Sequence, residues 1–261
     1  MELLEALQAR HSVRSYLVKE IEPEKVAQLE QAIADYNNES GLSIQLCLNS
    51  PAAFDSMLAR YGSFKNTCNY LALIGPKTAI AEEGCGYYGQ KLVLLAQQLG
   101  LNTCWVGGSY SKRKSVAAVG AGEKLYLVVA LGYGETQGKP RKTKPIEELC
   151  SIESDSFNDS SVSAFDDSFD NNTDDRIDTP LVSPFDSSLP SWFTAAMRAA
   201  QLAPTAMNQQ KYHFTLAGNM VKAKRLSGFY SLTDLGIVKC NFEIGAEAAG
   251  ATLGTDWDWA D

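Results

Sequence analysis

Ser43-Ile44-Gln45-Leu46-Cys47-Leu48 and Lys211-Tyr212-His213-Phe214-Thr215-Leu216 each read as a short strand that follows a helical stretch, and this pairing decides how the chain is organised. The helix before the first starts with Pro23 in its opening turn and carries apolar positions at Val26, Leu29, Ala32 and Ile33; the helix before the second runs from Trp192 to Leu202. Downstream, a long helix from about Ala81 to Leu99 stops at Gly100, and another from Asp234, as its amino-terminal cap, to Ala249 stops at Gly250. Gly86 and Gly100 bracket the first as Gly236 and Gly250 bracket the second. The repetition predicts a two-fold pseudo-symmetric α+β object, two helix-plus-antiparallel-sheet halves built like a homodimer fused into one polypeptide.

The remaining elements fit around this repeat. Glu2 to Gln8 has helical spacing, Tyr70 to Ile74 reads as a strand closed by Gly75-Pro76, and Leu125 to Leu131 is short and apolar enough for a buried strand. The expected domains are a first half at 1–150, a linker at 151–190 and a second, shorter half at 191–261. The linker is Ser/Asp/Asn-rich without helical or strand period, far longer than an ordinary connection, and reads as disordered. Its Phe165-Asp166, Phe169-Asp170 and Phe185-Asp186 pairs fit either short docking motifs or a bland acidic spacer.

Charge and cysteine content narrow the function classes. The 261 residues carry a net charge of −8. Ten acidic residues against the single Arg176 fall between Ser151 and Pro190, which leaves the rest of the chain close to neutral. With no basic face to meet phosphates of a polymer, nucleic acid is disfavoured as a partner. No run of about 18 apolar residues is present, and Met1 to Arg10 lacks the basic flank and apolar stretch of a leader, so a soluble, cytoplasmic protein is expected. The six cysteines are scattered without a C-x-x-C pair and only two histidines accompany them, which predicts reduced thiols and no metal site.

Three short segments carry chemistry. Arg10-His11-Ser12-Val13-Arg14 places two guanidinium groups and a hydroxyl within five residues, an arrangement that suits a phosphate, although its residue types also fit a solvated basic turn. Ala203-Pro204-Thr205-Ala206-Met207-Asn208-Gln209-Gln210 offers amide donors and acceptors able to read the edge of a flavin's pyrimidine ring, and is by composition a turn. Gly100 to Gly108 fits a helix stop and short strand, and its Gly107-Gly108 pair also lets a planar ligand approach backbone N–H groups.

Taken together these segments resemble the nitroreductase family of FMN enzymes. Arg10, His11, Ser12 and Arg14 look like the family's Arg-x-Ser-x-Arg/Lys phosphate and ribityl motif; Pro204, Thr205, Ala206 and Asn208 are similar to its Pro-Ser-x-x-Asn segment; Gly107 and Gly108 lie where a backbone amide meets flavin N5. Leu131-Gly132-Tyr133-Gly134 with Lys142 and Lys144 resembles the Gly-Tyr and terminal basic residues that also reach the phosphate. The likeness is greatest to the subgroup in which the motifs are split across a duplicated chain. Asp35 to Ser40, the first half's counterpart of the Pro204 segment, lacks its proline, no Arg-x-Ser-x-Arg precedes Trp192, and the acidic residue familiar near N5 falls at Gly107.

The resemblance implies one FMN per chain, its phosphate held by the first half and its ring clamped by the second, in a monomer that is an internal pseudo-dimer. It implies hydride transfer from NAD(P)H through FMN to a small electron-poor acceptor, with the chemistry on the flavin and no catalytic side chain required. The alternative is a non-catalytic flavin-binding or sensor protein whose acidic linker engages a partner. His11 reads as a structural or phosphate-site residue, and His213 as a packing or surface one.

Overall fold

A computed structural model describes residues 1–55, 57, 62–153 and 189–260. The expectation for the bulk of the acidic insert, 154–188, lies outside the described residues. Chain order is α1 (Leu3–Ala9), α2 (Pro23–Ser40), β1 (Gln45–Cys47), β2 (Asn69–Pro76), α3 (Ala79–Gln98), β3 (Asn102–Val106), β4 (Glu123–Gly132), β5 (Cys150–Glu153), α4 (Ser191–Gln201), β6 (Tyr212–Ala217), β7 (Met220–Arg225), α5 (Ser231–Ala248) and β8 (Asp258–Trp259).

Each helix forms for a local reason. Pro23 sits in the first turn of α2, whose end is marked by Gly41 in the left-handed conformation (φ 68°), and Leu29 and Ile33 are its buried stripe. Thr78 caps α3, its Oγ1 accepting from the amide of Ala81 at 3.1 Å. At the far end, Gly100 and Gly250 take φ of 77° and 81° after α3 and α5, as stop glycines should. Gly86 and Gly236 do not bracket their helices. Both lie inside them, α3 beginning at Ala79 and α5 at Ser231, and at these two residues the helices press backbone to backbone.

The strands divide into two sheets, β1-β2-β4-β3 and β5-β6-β7-β8. The first is antiparallel throughout. Its central strands β2 and β4 are buried on both faces, against α2 and α3 on one side and against Val13, Tyr16 and Phe54 on the other. The second sheet is mixed, because β5 runs parallel to β6 and β8 parallel to β7. Along β6, Tyr212, Phe214 and Leu216 are buried while the intervening residues are half-buried, the period-two pattern of a strand with one covered face. Phe214 stacks on Phe242 of α5 at 4.8 Å between ring centroids, and Trp257 stacks on Trp192 at 5.6 Å.

The order α2-β1-β2-α3-β3 recurs as α4-β6-β7-α5-β8, so the two halves share a layout. The boundary at 151 needs correction. Ser151–Glu153 continue β5 and pair with Thr215–Ala217 of the second half, so residues from the end of the first half complete the second half's sheet. Backbone pairing and the burial of Cys150 override a serine-rich composition there. At the other boundary, Leu189 is buried in the second core. No described helix is long and apolar enough to cross a membrane.

Candidate functional site

Arg10 ends α1, its amide donating to the carbonyl of Ala6 at 3.0 Å. From there the chain runs beside β3: Val13 N donates to Thr103 O at 3.0 Å and Ser12 bridges to Thr103 in parallel. This docking sends the Arg10 side chain inward, where it is 2% exposed, and Nε, Nη1 and Nη2 all lack a hydrogen-bond partner among the described residues. Burial, with a contribution from the neighbouring Arg141 cation, pulls its pKa down to about 10. A buried guanidinium with no counter-charge costs several kcal/mol, a cost that an anion beside it would offset. His11 is lowered as well, first by burial and then by Arg10.

Arg141 is the second cation at this place. Its Nη2 donates to Gln201 O at 3.2 Å and its Nε is buried without a partner. The segment that carries it is held by the second half at three further points. Gln201 Nε2 donates to Lys144 O at 2.8 Å, Lys144 N to Gln210 Oε1 at 2.9 Å, and Asn208 Nδ2 to Lys142 O at 2.9 Å. Lys142 and Lys144 thus take part through their backbones. The Lys142 side chain is exposed, and Lys144 Nζ lies 3.9 Å from Glu148.

Ser12 and Arg14, from the same segment as Arg10, line a cavity of about 390 Å³. The first half contributes Ser12, Arg14, Trp105, Val106, Gly107, Gly108 and Leu127; the second contributes Pro204, Thr205, Ala206, Met207, Phe229, Tyr230, Thr233, Asp234 and Ile237. Of the twelve residues expected at the site, Ser12, Arg14, Gly107, Gly108, Pro204, Thr205 and Ala206 line this one space. Arg10, His11, Asn208, Lys142 and Lys144 are not on its wall. Asn208 spends its amide on Lys142 instead of facing the cavity.

The wall from the second half rests on an unusual turn. Met207, Asn208 and Gln210 all have positive φ (51°, 55° and 47°), a conformation that disfavours side chains by roughly 1–2 kcal/mol per residue and persists only where surrounding bonds fix it. Thr205 Oγ1 accepts from Gln210 N at 3.1 Å. On the other side Asp234, 3% exposed, accepts from Ala206 N at 3.1 and 3.0 Å through its two oxygens and from Gln209 Nε2 at 3.2 Å. Asp234 therefore does not cap α5, which begins three residues earlier; it fastens the turn. Burial raises its carboxyl to about 7 against the smaller opposing pull of those donors.

The cavity fits a planar ring with polar edges. Trp105, Val106, Leu127 and Ile237 are its apolar part, while Thr233 Oγ1 and Trp105 Nε1 are buried polar atoms without partners among the described residues. At Gly107 a β-carbon would fall 2.5 Å from the ring of Tyr230, so a larger residue there would require that side chain to move. Arg141, Asp234, Tyr230 and Phe229 were not anticipated from sequence. The run Arg141-Lys142-Thr143-Lys144 signals a basic arm but not which member turns inward.

The family model described as Putative TM nitroreductase matches residues 2–167 and 175–246. Among solved structures, a putative nitroreductase from Thermotoga maritima is 19% identical, with 97% of this chain and 87% of that one covered and a TM-score of 0.60. A nitroreductase with bound FMN from Bacteroides fragilis is 22% identical over 56% of this chain and 94% of that one, with a TM-score of 0.41. An FMN-dependent nitroreductase from Clostridium difficile is 17% identical over 56% and 94%, also at 0.41. No curated protein matches the chain.

Proposed function

Because the chain belongs to the Putative TM nitroreductase family, we propose that it is an FMN-dependent oxidoreductase with one flavin site assembled from both halves of the polypeptide. The observation that carries this reading is the unpartnered, buried guanidinium of Arg10 near Arg141, in the same segment as Ser12 and Arg14, which line a cavity walled by both halves. Arg10 and Arg141 would hold the phosphate, with forked donors that match its oxygens and lose little entropy on binding. Ser12 and Arg14 would serve the ribityl chain and the near edge of the ring, Gly107 and Gly108 would present backbone to its face, and Pro204–Met207 would close it from the second half.

When bound, the flavin supplies the redox chemistry, passing hydride from NAD(P)H to a small electron-poor acceptor. The protein's part is to bind, orient and exclude water. Tyr230, packed against Gly107, and the exposed Phe229 border the mouth where a flat acceptor would enter.

The test is direct. The purified protein should be yellow with releasable FMN and should oxidise NAD(P)H in the presence of an acceptor, and the double variant Arg10→Ala with Arg14→Ala should fold but lose the flavin. Each charge-assisted bond is worth roughly 1.5–3 kcal/mol, so the loss of affinity should exceed a hundredfold. Undiminished flavin content in the double variant removes the phosphate assignment, and flavin retention without turnover leaves a binding protein instead of an enzyme.

A further inference from the structure

Asp234 is the single carboxylic acid on the wall of the cavity among the described residues, and it is buried with no basic side chain bonded to it. Its three hydrogen bonds come from a backbone amide and a neutral side-chain amide, groups that serve a carboxylate but do not neutralise it. The charged and titratable groups around it are engaged elsewhere. On β7, Arg225 Nη1 donates to Ser231 Oγ at 3.4 Å; on α3, Glu83 pairs with Lys239 at 2.6 Å. The buried Tyr212 of β6 donates to Ala200 O at 3.3 Å, and Arg14 stands on the part of the wall contributed by the first half. Nothing else on the wall can gain a proton in the neutral range.

We propose that Asp234 is a positioning residue of the flavin site that locks the turn Thr205–Gln210 and takes up one proton from solvent when the bound flavin is reduced. The inference rests on the flavin reading above. Its logic is electrostatic. Two electrons and one proton arriving at the ring leave it more negative by one charge, and a carboxylate in the same low-dielectric cavity is then disfavoured. Protonating Asp234 relieves the repulsion: the carboxylate gains one proton from water, no bond of the chain breaks, and the electrons come from the reductant. The carboxyl stands close to neutrality before the flavin is reduced, so a modest further push is enough.

The experiment is a spectroelectrochemical titration of the flavin-loaded protein between pH 6 and 9, for the wild type, Asp234→Asn and Asp234→Glu. One additional coupled proton changes the two-electron equilibrium tenfold per pH unit, which is about 30 mV. Above about pH 7 the wild-type midpoint potential should therefore fall more steeply than that of Asp234→Asn by about 30 mV per pH unit, and Asp234→Glu should restore the steep slope. Asparagine with its amide oxygen in the place of Oδ2 keeps an acceptor for both Ala206 N and Gln209 Nε2, and Gln209 goes on donating to Phe229 O, so the turn retains its bonds.

Redox-induced infrared difference spectra of the wild type give a second readout that needs no stable variant. A carboxylate band should be lost and a protonated carboxyl band gained on reduction. Parallel potential lines, or no carboxyl signal, overturn the proposal while leaving the flavin reading intact. A wild-type protein that takes up no FMN removes both.

Discussion

Gly86 of α3 and Gly236 of α5 stand in reciprocal contact: a β-carbon on Gly86 would lie 2.0 Å from the carbonyl oxygen of Thr233, and one on Gly236 would lie 1.9 Å from that of Glu83. Each glycine thus faces the carbonyl three residues before the other. That relation is the one expected at the axis of a two-fold dimer, here written twice within one chain.

Gly86→Ala and Gly236→Ala should consequently destabilise the fold by similar amounts. The obstacle is backbone and cannot rotate away, which puts the cost at or beyond the upper end of the about 1–3 kcal/mol typical of overpacking. Denaturant midpoints of the two variants measure it. A large loss for one and none for the other would remove the two-fold account of this crossing.

Arg10 gives a prediction in which stability and binding move in opposite directions. In the flavin-free protein the guanidinium is buried and unpaired, so Arg10→Met should raise stability, on the order of 1–4 kcal/mol. The same variant should lose FMN. Calorimetry of the apo forms with fluorescence titration of FMN reads both, and a destabilised apo variant would mean that the arginine is paid for by contacts within the chain.

The basic arm separates by residue. Arg141→Ala should weaken FMN binding at least tenfold, because its side chain stands beside Arg10. Lys142→Ala and Lys144→Ala should change it little, since those residues contribute a carbonyl and an amide that alanine keeps. Equilibrium binding of FMN to the three variants ranks them, and a lysine variant that loses more than Arg141→Ala reverses the assignment.

This division shows where the sequence was legible and where it was not. The alternation in Tyr212–Ala217, the apolar run of β4 and the stop glycines at 100 and 250 are local signals, and the structure holds them as read. The repeated spacing of Gly86 and Gly236 was visible too, but its meaning was not: a helix end and a helix crossing both call for glycine, and only the partner helix distinguishes them. Arg141 and Lys142 are neighbours in an arm without regular secondary structure, where no period in the sequence says which of the two turns inward. Asp234 reads as a cap from its place near a helix start, whereas its bonds go to a turn 28 residues away. The strand β7 alternates Val221 and Ala223 with Lys222 and Lys224, a period hidden by its high charge.

Asp234 also makes stability depend on pH in a defined direction. Its carboxyl titrates at about 7 in the folded chain against 3.8 when exposed, so between those values the folded state holds a proton that the unfolded state has released. Stability should accordingly be fully present below about pH 4 for this group and be lost as pH rises through 7, by up to roughly 4 kcal/mol. Asp234→Asn should flatten that slope. Chemical denaturation of the flavin-free protein at pH 5 and pH 8 makes the comparison, and a variant whose slope matches the wild type places the titration elsewhere.

Assembly is the last consequence. In the single chain, the cavity already joins Ser12 and Arg14 with Pro204–Met207, and Asn208 ties the second half to the arm that carries Arg141. That wall draws on both halves of one chain, and the first half's counterpart of the Pro204 turn is the end of helix α2, which has no proline and no turn to offer a second ring. The protein should therefore sediment as a monomer with one FMN per chain at concentrations well below those at which weak dimers form. Sedimentation velocity followed at the flavin's absorbance measures mass and stoichiometry together. Two flavins per chain, or a flavin that leaves as a dimer dissociates, would mean that the complete site lies between chains and that the contacts joining the two halves here serve the fold alone.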